Sequence, residues 1–378
     1  MQNWLPIATL ELVGQIAPKV RLDARTNVLL GCVLGALIVA YFVGRALRRQ
    51  PESTAHPAAV RTFNLRVRAW WMMCAILIAG FLLGYVTTVV LFGLISFWAL
   101  REFITMTPTR RGDHRTLFWT FFLFTPLQYL FVGLGMGWYP LYTIMIPVYA
   151  SLFIPARIAI SGDPKRFLER VAKIQAGLLI CVYSLSHAPA LLDLNLKTSD
   201  GQAWTIGSTE PVPSDPAGSE TKGEAKMPAS IGPASPPGPN TAIPGSNAGL
   251  LFYFVLIVQL NDVFQFAWGN LLGKHVIAPQ INASRTWEGL IGGVLSTMLV
   301  GTLLCWATPF QAWEAACIAG IVGFMGFAGS MTMSGIKRDR GVKDYGTLVS
   351  GHAGVLDRID SVCFAAPVFF HITRYFFS

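Results

Sequence analysis

Apolar residues along this chain gather into ten long runs, and most polar residues fall between them. The runs cover residues 27–46, 69–84, 85–99, 117–136, 139–160, 171–192, 248–268, 287–307, 313–335 and 354–377. A helix needs about 17–25 mostly apolar residues to cross a bilayer core of about 30 Å, so this pattern predicts membrane spans. The second and third runs are short and abut, which admits either a tight hairpin or one span plus a re-entrant piece. The first run begins too far from Met1, and Arg45, Arg48 and Arg49 make its downstream flank too basic, for a cleaved signal peptide. It is read as retained. The expected fold is an all-α polytopic membrane protein of about ten transmembrane helices.

One segment interrupts the pattern. Residues 197–246 are rich in Pro, Gly, Ser, Thr and Ala, a composition that buries too little apolar surface to offset chain entropy. It reads as a flexible linker on the outer face. The expected organisation is therefore an N-terminal six-helix block (1–196), a linker (197–247) and a C-terminal four-helix block (248–378).

Composition agrees with lipid as the main solvent. Of 378 residues, 53% are hydrophobic and 13% charged, against about 25% charged in a soluble domain. Charge placement adds orientation. If every run is a span, 22 of the 29 Lys and Arg fall in the odd-to-even connections. Loops with excess Lys and Arg stay cytoplasmic, so both termini are expected outside. The net charge of +9 is then a topology signal, with attraction to anionic lipid as a second consequence, and nucleic acid is not an expected partner. In the stretch from Phe63 to Trp71, Arg66 and Arg68 beside Trp70 and Trp71 suit an interfacial anchor, and contact with an anionic headgroup is the other reading. The six cysteines all lie inside apolar runs without disulfide or zinc spacing, and no chemistry is assigned to them.

Candidate chemistry crowds the last inter-run connection. Between Ser334 and Ser361 stand Lys337, Arg338, Lys343, Asp344, Gly351, His352, Gly354, Asp357, Arg358 and Asp360. Glycines let backbone N–H groups approach a phosphate, and Lys and Arg neutralise its charge. Asp357 and Asp360 are three apart and share a helix face, where two carboxylates suit a divalent cation. Ionisable groups at the mouth of an apolar run are costly and read as functional. Asp262 follows a largely apolar stretch and needs either a buried partner such as Lys274 or Arg285, or a nucleotide or metal. His352 suits loop hydrogen bonding or phosphate contact equally, Glu288 suits a helix cap, and His187 suits helix packing.

These residues carry a resemblance. Ser334-x-x-Lys337-Arg338, then Lys343-Asp344, His352-Ala353-Gly354 and Asp357-Arg358-x-Asp360 closely resemble the signature of the CDP-diacylglycerol synthases, the phosphatidate cytidylyltransferases. Asn261-Asp262 through Gly269, Gly273 and Lys274, and Ser284-Arg285-Thr286-Trp287-Glu288-Gly289, are similar to two further family stretches, with Arg285 for the usual Lys and Ala353 for a Gly. The resemblance implies transfer of CMP from CTP to phosphatidate, giving CDP-diacylglycerol and pyrophosphate. It implies catalytic roles for Asp357, Lys337, Arg338, Lys343, Asp344 and Arg358. Substrate contacts would come from Ser334, His352, Asp262, Lys274, Arg285, Gly351 and Gly354. Magnesium would sit on Asp357, Asp360 and Asp262. A second, monovalent cation and a homodimer are admitted, and a multi-pass location in a bacterial inner membrane, site towards the cytoplasm, is expected. One departure stands out: Ser330 occupies the place of an aspartate that the family uses beside Asp357 for its metal. A weakened or repurposed paralogue that binds phosphatidate or nucleotide is therefore the rival reading. A transporter is supported by the helix count alone.

Overall fold

The computed structural model describes residues 24–47, 57–106, 110–198, 204, 247–342 and 354–378. Within them the apolar runs are largely helical, and several helices, such as those starting at Pro57 and ending at Asp339, extend their run by polar residues. The helices are α1 (Ala24–Leu47), α2 (Pro57–Leu83), α3 (Tyr85–Thr105), α4 (His114–Gly133), α5 (Met136–Ala159) and α6 (Phe167–Asp193). After the long connection come α7 (Ala248–Leu272), α8 (Trp287–Leu303), α9 (Ala312–Asp339) and α10 (Leu356–Phe377). Seven of these are long and apolar enough to cross a membrane by length and composition. The protein is an all-α polytopic membrane protein.

The abutting runs two and three resolve into two separate helices. Gly84 turns the chain between α2 and α3 with φ 102°, a conformation open to glycine and costly for side chains. The second run looks short because α2 starts at Pro57 and carries the basic Arg66 and Arg68 before its apolar half begins.

Three helices contain a turn of π-helix, at Thr120–Phe124, Met145–Ala150 and Leu178–Ser184. Prolines lie within or shortly after each of them, Pro147 inside and Pro126 and Pro189 beyond, and a proline leaves a carbonyl of the preceding turn without its N–H. Within these turns the side chains of Thr125, Ser151 and Ser184 each donate to the carbonyl five residues back, on Thr120, Ile146 and Leu179, at 2.9, 3.1 and 2.9 Å, and the first two of these carbonyls also take a backbone N–H.

Helix-to-helix packing uses small and polar residues, as expected where hydrophobic burial alone does not distinguish protein from lipid. Asn261 of α7 donates to Gly323 O of α9 at 2.8 Å and accepts from Thr297 of α8 at 3.2 Å, pinning three helices through one buried amide. His187 is buried in α6 with Nδ1 2.8 Å from Tyr183 O, a packing role. All six cysteines are free. The two blocks also meet: Phe370 of α10 lies 5.3 Å, ring to ring, from His187. Apart from residues 197, 198, 204 and 247, the linker lies outside the described residues.

A small departure from pure helix matters for the site. Between α7 and α8 the chain forms an antiparallel hairpin, β1 (Val276–Ala278) and β2 (Asn282–Thr286), turned through Pro279, Gln280 and Ile281. Strands of three and five residues leave no periodicity for the sequence to show.

Candidate active site

The hairpin delivers Arg285 to the centre of the C-terminal block. Its guanidinium donates to Gln265 Oε1 at 2.7 Å and Asp262 Oδ1 at 3.1 Å, both on α7, and to Ser330 Oγ on α9 at 2.6 Å. Thr286, next in β2, accepts from Gly289 N at 3.1 Å and so caps α8. The cap is therefore Thr286 and not Glu288. Glu288 instead accepts the N–H groups of Lys274 and His275 and lies 2.6 Å from His275 Nδ1, fastening the chain that leads into β1.

On the facing side α10 supplies Asp357, Arg358, Asp360 and Ser361. Asp357 accepts from Lys337 Nζ at 2.8 Å and from Gly354 N at 3.3 Å. Ser361 Oγ donates to Asp262 Oδ2 at 2.5 Å, so Asp262 is held from both sides. Helices α9 and α10 come close at Gly329, where an added Cβ would lie 2.8 Å from Asp360 O. That close approach brings α9 and α10 together at Gly329 and Asp360, and a larger residue at 329 would force the two helices apart.

These groups surround one cavity of about 260 Å³. Asp262, Arg285, Asp357, Arg358 and Asp360 line it, and Trp70 and Met73 of α2 bring in the N-terminal block. Expected site residues meet there from separate stretches of chain. Ser334 stands just behind, donating to Ser330 O at 2.7 Å and accepting from Asn282 Nδ2, whose own residue lines the cavity. Arg338 is exposed at the end of α9, with Nε 3.2 Å from Ile281 O, and Lys274 is exposed before β1. Neither lines the cavity. Lys343, Asp344, Gly351 and His352 lie outside the described residues.

The N-terminal block holds both rims of the connection between α9 and α10. At one rim Arg340 reaches Glu169 of α6 at 3.2 Å, and Glu169 also pairs with Lys173. At the other, the buried carboxylate of Glu102 in α3 accepts from Val355 N at 3.1 Å and Leu356 N at 2.9 Å, with Trp98 Nε1 3.1 Å away. These are the free N–H groups at the start of α10, where a negative charge is favoured. Sequence reasoning missed Glu102, though an acid amid the apolar residues of α3 was a visible signal. Glu102→Ala is expected to destabilise the protein by about 2 kcal/mol, since it strands two buried donors. Unfolding in graded detergent mixtures measures this, and Glu102→Gln should recover part of it.

Magnesium requires hard oxygen donors. Asp262, Asp357 and Asp360 offer three carboxylates around one cavity, which fits in kind. In their present directions two of them are taken up by cations and hydroxyls, and no cluster of three candidate ligands occurs among the described residues.

A model of the cytidylyltransferase family matches residues 64–376. The chain belongs to the cytidylyltransferase family. The resemblance carried by the signature residues is borne out at that level, and this cytidylyltransferase-family member is a membrane-embedded relative of nucleotidyl-transferring enzymes. It is 32% identical to the uncharacterised protein YnbB of Escherichia coli over 354 residues, 92% of this chain and 97% of that protein. It is 36% identical over 120 residues to a phosphatidate cytidylyltransferase of Staphylococcus haemolyticus, 31% of this chain and 46% of that protein. A Mycobacterium leprae phosphatidate cytidylyltransferase gives 36% over 129 residues, 33% of this chain and 40% of that protein. The chain thus matches less than half the length of these two phosphatidate cytidylyltransferases.

Proposed function

We propose that this protein is a phosphatidate cytidylyltransferase, working at the cytoplasmic face of an inner membrane. The reading is carried by the one cavity where Asp357, Arg358 and Asp360 of the signature meet Asp262 and Arg285. In the reaction an oxygen of the phosphatidate phosphate attacks the α-phosphorus of CTP. The bond from that phosphorus to the β-phosphate oxygen breaks, and pyrophosphate leaves with the electron pair. The nucleophile is already an anion, so the protein's work is to position two polyanions and offset their charge.

Arg358 lines the cavity and Lys337 pairs with its Asp357, and the two would take the triphosphate. Arg285, fixed by Gln265, would present its remaining N–H groups to a phosphate. Magnesium, held by Asp357 with Asp360 or Asp262, would neutralise charge on the phosphates. Trp70 and Met73 make the cavity wall towards α2 apolar, which suits the glycerol and acyl portion of a lipid.

The test is incorporation of labelled CMP from CTP into lipid by purified protein, with magnesium and phosphatidate each present or omitted. Labelled CDP-diacylglycerol that requires both supports the proposal. CTP or phosphatidate binding with no labelled lipid supports a repurposed binding protein, the reading favoured by the Arg285–Ser330 contact.

A further inference from the structure

The catalytic cavity has a neighbour on the other side of α2. A groove of about 780 Å³ runs between α1 and α2, lined by two stripes of side chains. Ile38, Tyr41, Phe42 and Arg45 form the α1 stripe, and Asn64, Val67, Arg68 and Trp71 form the α2 stripe. Each follows the spacing i, i+3, i+4, i+7, the pattern of one helix face, so two whole faces confront each other. Leu29, Val33 and Leu37 bury the other face of α1. On α2, Trp70 and Met73 point into the catalytic cavity while Arg68 and Trp71 point into the groove, so this helix is the wall between the two spaces.

The groove is graded along its length. At its polar end Arg45 and Asn64 sit together, with Asn64 Nδ2 3.4 Å from Gly44 O. Arg68 stands one turn further in, then Tyr41, Phe42 and Trp71, and Ile38 is deepest. Tyr41 and Phe42 are largely exposed. Neither Arg45 nor Arg68 forms a hydrogen bond or ion pair with any other described residue. Two cations with no anionic partner among the described residues, above an aromatic and aliphatic trough, match the order of groups in a phospholipid. Arg and aromatic side chains are the residues that gather at headgroup depth.

We propose that the α1–α2 groove is a second phospholipid site, separate from the catalytic cavity, which binds an anionic glycerophospholipid with its phosphate between Arg45 and Arg68 and its acyl chains over Tyr41, Phe42 and Ile38. A second copy of this chain is a poorer occupant, because two arginines facing a partner would require acids, and the described part of α1 contains none. The assignment does not depend on CTP chemistry.

The probe is labelled phosphatidylglycerol titrated into full-length protein in zwitterionic micelles. The pair Arg45→Gln and Arg68→Gln should weaken binding roughly 30-fold, at about one basic residue's attraction each, while Arg45→Lys with Arg68→Lys should retain most of it. Asp357→Asn should leave this binding unchanged, which separates the groove from the catalytic cavity. Melting in micelles free of anionic lipid should be alike for all variants, so loss through misfolding would show. Undiminished binding by the Gln pair overturns the proposal, as does loss in Asp357→Asn. Competition by inorganic phosphate at equal concentration would point instead to a free-phosphate site and overturn the lipid assignment. A dimer that dissociates in the Gln pair without lipid would assign the groove to a second copy and overturn it equally.

Discussion

Asp357→Asn is expected to lower CTP-dependent labelling of lipid roughly 10³-fold, the scale seen when a preorganised charge is removed from a water-poor reaction site. Asparagine keeps the shape, and its carbonyl can still accept from Gly354 N. What disappears is the negative charge facing Lys337 at 2.8 Å and the anionic donor at the cavity mouth. The initial rate of lipid labelling at saturating CTP measures the effect, and unfolding in graded detergent checks that the variant still folds. The ion pair has side chains only 16% and 10% exposed, so some loss of stability accompanies the change. A rate within about threefold of the parent would remove Asp357 from the charge-handling role.

The helices were legible because hydropathy is the strongest signal a membrane chain gives. Bilayer thickness fixes the length of an apolar run and water fixes where it stops. The same signal fails at helix ends that leave the membrane. Helix α2 begins at Pro57 and α9 runs on to Asp339, each carrying basic residues that hydropathy assigns to a loop. The hairpin β1–β2 was hidden for a different reason, since two such short strands around a proline turn form no repeat.

For the site, residue identity was legible and residue direction was not. The signature named Asp262, Arg285, Asp357, Arg358 and Asp360, and the fold gathers all five around one space. Nothing in the spacing showed that Arg285 would lie against Ser330, that Gln265 would hold Arg285, or that Ser361 would hold Asp262. Those contacts depend on how α7, α9 and β2 approach each other. Glu102 and Glu169 were overlooked because each acts on a backbone or side chain far away along the sequence. Together they fasten the two ends of the connection that carries Lys343, Asp344 and His352. The N-terminal block, whose sequence resembles the family least, thereby sets the frame in which the signature works.

Ser330→Asp separates the two functional readings most sharply. In the parent, Arg285 Nη2 divides itself between Ser330 Oγ and Asp262 Oδ1, so one cation serves one carboxylate and a neutral hydroxyl. Ser330 is buried, and a carboxylate there adds a second negative charge within reach of the same guanidinium. Charge-assisted bonds are roughly twice as strong as neutral ones, so the introduced carboxylate should draw Arg285 away from Asp262. Turnover is then expected to fall about 10²-fold. Adding Arg285→Lys should recover most of the loss, because a single ammonium lacks the fork with which arginine would stay on the introduced carboxylate. The pair of variants therefore behaves as a coupled unit, and a double-mutant cycle on the labelling rate reads that coupling. A faster enzyme from Ser330→Asp alone would mean that the serine is a defect that slows the parent chain.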